Sequence, residues 1–139
     1  MDRSRDWLRQ AERDLESARL ILRGGFYEWA CFIAQQAAEK AAKALCEKHK
    51  VLTRSHQLTR LLEAVKELEQ IPDDLREKGA TLDRFYIPTR YPNGFESGAP
   101  MEYFFKKDAE EAISYAEEIV RFCSDKITNQ GNADPETEA

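Results

Sequence analysis

Arg84, Tyr86, Arg90, Tyr91 and Asn93 crowd into residues 84–93, directly after Asp83. Their types suit a nucleotide or an RNA strand. An arginine fork binds phosphate oxygens in pairs. A tyrosine ring stacks on a base, and an asparagine amide can read a base edge. Gly94 and Gly98 follow, and glycine lets backbone approach a ligand closely. The competing reading is an ordered loop, in which Arg90 pairs with a carboxylate of the helical body and the tyrosines cover the core.

Other groupings carry both a plain and a sharper meaning. Gln36, Glu39, Lys40 and Lys43 recur at steps of three and four, so they share one helix face. The plain reading is an exposed Glu39–Lys43 pair; the sharper one is a cleft wall or a dimer face. Arg5, Arg9 and Arg13 form a second stripe, but Asp2, Asp6, Glu12, Asp14 and Glu16 surround it. Mixed signs of this kind describe a solvated face. Tyr27 and Trp29 read as lids over one end of a core. His56, after Arg54 and Ser55, reads as a local hydrogen-bonding group near a helix start, with a lone acid–base role as the alternative.

Cys31, Cys46 and Cys123 include no CxxC pair, and the only histidines are His49 and His56. A zinc site needs four N, S or O ligands at recognisable spacing. No metal or cofactor is therefore expected, and the cysteines read as buried thiols. Neither a glycine-rich phosphate loop nor a Ser–His–Asp arrangement can be read from the spacing.

The elements that must position these residues are helices. Trp7, Ala11, Leu15, Ala18 and Leu22 form one apolar stripe over residues 2–23, which Gly24-Gly25 stops. A second helix over 27–48 is dense in alanine, at 30, 34, 37, 38, 41, 42 and 44. Small residues let neighbouring helices approach, so this helix belongs at the centre. Ser55 is a plausible N-cap for a third helix over 56–70, with Leu58, Leu61, Leu62, Val65 and Leu68 inside. Pro72 opens a fourth helix carrying Leu75, Leu82 and Phe85; Gly79 weakens it, and Pro88 ends it near Tyr86–Ile87. Residues 88–100 hold three prolines and two glycines, which makes them a loop of functional length. The last helix runs over 101–128. No segment alternates with a period of two, so the fold expected is all-α: an up-and-down bundle of four long helices plus one shorter helix over 1–128, with a disordered acidic tail over 129–139.

Composition bounds the remainder. The chain has 139 residues, enough for one core without staples, and a formal net charge of −5. An acidic total argues against a dedicated basic nucleic-acid binder, though it permits a local basic patch. No stretch is apolar enough for a membrane span and the charged start does not fit a signal peptide, so a cytoplasmic protein without membrane partners is expected.

Taken in order, the segments AERDLESA, the Gly-x-Tyr opening of the second helix, AQQAAEKAAKAL, His56-Gln57-Leu58 and Arg90-Tyr91-Pro92 resemble the HEPN domain over roughly residues 4–127. The resemblance implies a four- or five-helix bundle that dimerises. It also implies a minimal nucleotidyltransferase as partner in a toxin–antitoxin pair, with a nucleotide or RNA as ligand. Toxic members cut RNA with a motif of an arginine, four to six intervening residues and then a histidine. Arg90 falls where that arginine would lie, but no histidine follows His56 in this chain. A histidine is the side chain poised to move a proton near neutral pH. The expectation is therefore a binding and partnering module without a complete cleavage motif. Metal-free cleavage by Arg90 with Tyr91 or a spatially contributed His56, and a purely structural subunit, are the alternatives.

Overall fold

The computed structural model describes residues 1–132, with side chains described to residue 128. Among the described residues there are five α-helices and no strands: α1 (Ser4–Arg23), α2 (Tyr27–Lys48), α3 (Leu58–Ala64), α4 (Asp73–Asp83) and α5 (Lys106–Asn132). Short 3₁₀ turns at Pro92–Gly94 and Pro100–Glu102 interrupt the connection between α4 and α5. The expected tail over 129–139 lies largely outside the described residues, though α5 continues to Asn132.

Helix α2 is the axis of the bundle, with α1, α5, α3 and α4 all packed against it. All seven of its alanines are buried. With no side chain beyond Cβ, they let α1 and α5 come close, and those helices answer with Ala11, Ala18, Ala109, Ala112 and Ala116. Leu45, Leu58, Leu61, Leu62, Leu82, Ile119 and Ile127 fill the wider spaces. Burying each of these side chains contributes about 2 kcal/mol. Cys31, Cys46 and Cys123 are free and buried in this core. Burial pushes the Cys31 thiol up to about 12 and the Cys46 thiol up to about 11, and raises Cys123 further, so none is a ready nucleophile.

The ends of α1 and α2 use the same device. After α1, the Phe26 N–H donates to Ile21 O at 3.2 Å and the Gly25 N–H to Leu22 O at 3.0 Å, with Gly25 at φ +85°. After α2, Val51 N–H donates to Cys46 O at 2.8 Å and Lys50 N–H to Glu47 O at 3.0 Å. Both are Schellman closures, which need a left-handed residue. The second places Lys50 there, at φ 58°, where a Cβ is strained.

Several helix boundaries differ from the sequence expectation. Regular helix in α3 stops at Ala64, and Val65–Glu69 continues as tighter turns, with Val65 N–H to Leu62 O at 3.3 Å and Leu68 N–H to Val65 O at 2.9 Å. Tighter winding shifts the inward face. Leu68, expected inside, is 53% exposed, and Glu69 is buried in its place. Helix α4 ends at Asp83, and residues 84–90 follow as a run of turns. Helix α5 starts at Lys106, not Met101, because Pro100 opens a separate 3₁₀ turn and the Asp108 carboxylate accepts from Phe105 N–H at 2.8 Å to fix the new start. Replacing Lys50 by glycine relieves the left-handed strain, so Lys50→Gly should raise stability by about 0.5–1 kcal/mol in chemical denaturation. An unchanged or lower midpoint would show that the Lys50 side chain contributes more than its backbone strain removes.

Candidate functional site

The turns after α4 fold Arg90 back onto the first third of α2. Arg90 Nε donates to Tyr86 O at 2.9 Å, while Arg90 and Tyr91 N–H both reach Ile87 O. The guanidinium carbon then sits 4.3 Å from the Phe32 ring centre, 4.7 Å from that of Tyr86 and 5.1 Å from that of Tyr91. Cation–π contacts on three rings hold the group flat and immobile. Among the described residues no carboxylate pairs with it, so the alternative in which Arg90 is consumed by a bundle carboxylate does not hold. Its terminal nitrogens keep their donors for a ligand.

A second polar group lies against the same rings. His56 stacks on Tyr86 with ring centres 5.4 Å apart and planes 14° from parallel. Its Nδ1 is 3.0 Å from Glu39 Oε2. Glu39 is only 3% exposed, which corrects the expectation of an exposed Glu39–Lys43 pair. The pair exists, at 2.9 Å, but the carboxylate is sunk into the bundle. Gln35, fully buried one turn earlier, donates to Glu39 Oε1 at 3.2 Å and to His56 O at 3.3 Å, and Gln36 donates to Gln35 Oε1 at 2.8 Å and to Glu39 Oε1 at 3.4 Å. Four donors around one buried carboxylate meet the requirement that a buried charge be paired and hydrogen-bonded.

The chain just beyond His56 is fixed from the other side. Asp83, at the end of α4, accepts from Leu58 N–H at 2.6 Å, Thr59 N–H at 3.1 Å and the Thr59 hydroxyl at 2.9 Å. It is the N-terminal cap of α3, supplied from 25 residues away. Ser55, expected in that role, instead accepts from Gln57 N–H at 3.0 Å in a tight turn, and helix begins at Leu58.

The sequence-picked residues divide. Tyr86, Arg90 and Tyr91 come together, and Tyr91 is 48% exposed. Arg84 is exposed at the C-terminus of α4, and Asn93 is exposed on the Pro92–Gly94 turn; neither is held in the cluster. Trp29 meets Phe32 edge-on at 6.2 Å and is 44% exposed, more open than a core lid. Phe32 and Gln35 join the site without a sequence expectation, while Glu39 and His56 enter it through their alternative readings, as a cleft wall and an acid–base group. The available signal was Gln35 and Glu39 at a four-residue step on the alanine-rich face. Arg5, Arg9 and Arg13 lie on the solvated outer face of α1, where Arg13 reaches Glu16 only at 3.9 Å.

A family model of the HEPN domain matches residues 4–127, nearly the whole described bundle. This chain belongs to the HEPN domain family. Three solved structures share its fold. The protein TT1696 from Thermus thermophilus is 41% identical, with a TM-score of 0.88, covering 91% of this chain and 99% of that one. ST0689, an archaeal HEPN homologue, is 42% identical, with a TM-score of 0.78, over 91% and 99%. A HEPN domain protein from Thermotoga maritima is 33% identical, with a TM-score of 0.73, over 88% and 98%. The chain is also similar to the protein named "Putative toxin MJ1304" from Methanocaldococcus jannaschii, at 29% identity over 128 residues, 86% of this chain and 84% of that protein. As a HEPN domain, the all-helical bundle is the one the sequence motifs imply. No helix among the described residues is long and apolar enough to cross a membrane.

Asp83 carries three hydrogen bonds across the site's rim, two of them to helix amides. Asp83→Ala should lower stability by about 1–2 kcal/mol in urea denaturation, with Asp83→Asn intermediate. A loss below about 0.3 kcal/mol would mean that water replaces the cap without penalty.

Proposed function

We propose that this HEPN domain binds single-stranded RNA or a nucleotide through the Arg90 cluster and acts as one partner of a toxin–antitoxin-type pair. The carrying observation is the guanidinium held on Phe32, Tyr86 and Tyr91 with no carboxylate partner among the described residues. An arginine held on rings without an acidic partner keeps a terminal donor pair unspent, which suits one phosphate. Exposed Tyr91 and Trp29 offer flat faces for unpaired bases beside it. The acidic total charge favours a small local contact over a long basic track.

The similarity to a protein named as a toxin supports the paired role. The partner proposed is a minimal nucleotidyltransferase, and the chain is proposed to act in the cytoplasm as a homodimer. Arg84 and Asn93, at the edge of the cluster, are proposed as secondary contacts.

Cleavage is the second reading, and one observation favours it: His56, with a buried carboxylate behind it, lies on the ring that Arg90 also touches. That arrangement could move a proton near a held phosphate.

One set of measurements addresses both. Arg90→Ala should weaken binding of short RNA or ATP at least tenfold, the loss of a charged hydrogen-bond pair, and should lower the salt slope by about one phosphate contact. Binding equal in wild type and Arg90→Ala would refute the site. In the same samples, RNA cut by wild type and left whole by Arg90→Ala and His56→Ala supports cleavage; RNA whole in all three removes it.

A further inference from the structure

The bundle spends a buried charge to hold one surface imidazole. Glu39 is 3% exposed, whereas the His56 side chain is 56% exposed. Burying a carboxylate is a poor route to stability, since apolar residues of similar volume would serve as well or better. What the arrangement does achieve is orientation. Tyr86 fixes the plane of the ring, and Glu39 fixes its rotation.

Orientation here also selects the proton positions. A carboxylate only accepts hydrogen bonds, so His56 Nδ1 facing Glu39 Oε2 at 3.0 Å carries a hydrogen. The opposite nitrogen, Nε2, is the one left for a ligand. In the neutral ring, Nε2 is a bare acceptor and repels a phosphate oxygen. In the charged ring, it is an N–H donor beside a positive charge. The same atom thus turns from an obstacle into a contact by taking up one proton.

We propose that His56, positioned by Glu39, is a second phosphate-binding arm of the Arg90 site and works only in its protonated form. This rests on the Arg90 reading above and extends it to the ligand class: the site takes successive phosphates of one strand. Tyr86 is the shared platform, with the imidazole stacked on its ring and the guanidinium carbon 4.7 Å from its centre. Two cationic groups on one aromatic ring match a phosphodiester chain, whose charges are spaced along it, better than a nucleoside monophosphate with one charged group.

The surroundings set the sign. From α2, His56 meets Glu39, with Lys43 behind it at 2.9 Å from the same carboxylate. From the turn after α4 it meets Tyr86, whose ring Arg90 also touches. Asp83 lies near the next residues but is occupied by the amides of Leu58 and Thr59, and Arg54 stands two residues away on the same exposed segment. Binding a phosphate favours the charged ring, so affinity is greater at acid than at alkaline pH. One linked proton gives at most about tenfold in affinity per pH unit.

The test uses the full chain and a fluorescently labelled oligouridylate, whose bases do not change charge between about pH 5.5 and 8. Affinity is read by anisotropy across that range at fixed salt, for wild type, His56→Gln, Glu39→Gln and Arg90→Ala. Wild type should bind about tenfold or more tightly at pH 6 than at pH 8. His56→Gln, which keeps a donor toward Glu39 but cannot take a charge, should give a flat profile near the wild-type value at the alkaline end. Glu39→Gln should flatten the slope while leaving the helical circular dichroism intact. Uridine 2′,3′-cyclic monophosphate, a single phosphodiester with no proton to lose in this range, should show no such slope with any variant. If wild type and His56→Gln share one profile while Arg90→Ala abolishes binding, this inference falls and the Arg90 site stands. If Arg90→Ala leaves binding unchanged, the site itself falls.

Discussion

The close approach of helices to α2 is the constraint on which everything else rests. Seven buried alanines along one helix bring α1 and α5 within reach of its backbone. Spacing that tight leaves little room for aromatic side chains along the shaft, so they collect elsewhere. Phe85, Phe95, Tyr103 and Phe104 meet one another, stacked or edge-on, around the connection before α5. Trp29, Phe32 and Tyr86 gather where the turns after α4 meet α2. The arginine cradle is therefore a consequence of how the shaft is packed.

Polar side chains on such a helix must be few and fully satisfied, and Gln35 and Glu39 are both. Each bonds within α2 and also to the segment carrying His56. Asp83 grips the following residues from α4. A seven-residue helix such as α3 is too short to hold its own N-terminus firmly. The carboxylates of two other helices define where it begins and where the imidazole ahead of it points.

Local patterns in the sequence resolved what local physics decides. Apolar stripes and the Gly24-Gly25 stop located α1 and α2 within a residue or two, and the alanine run identified the central helix. Arg90, Tyr86 and Tyr91 were legible as a group because they are near neighbours in the chain. The shortening of α3 and the exposure of Leu68 were not, because winding tightness depends on what packs beside the turn. Glu39 looked like an exposed partner of Lys43, since the four-residue step is the same whether a face meets water or His56. Contacts spanning 17 residues, as between Glu39 and His56, or 25, as between Asp83 and Leu58, leave no periodic trace.

The alanine shaft has a further meaning for how this sequence can change over time. Alanine surrenders no rotamer freedom on folding, so the central interface forms with almost no side-chain entropy loss. It also yields little apolar area per residue, which makes proximity the source of its attraction. Drift at these seven positions is therefore asymmetric. Shrinking to glycine weakens the helix by roughly 1 kcal/mol, whereas growth by even two methyl groups must push a neighbouring helix aside. The permitted vocabulary along α2 is narrow, while the exposed rim around Arg84, Tyr91 and Asn93 remains free to vary with whatever it meets.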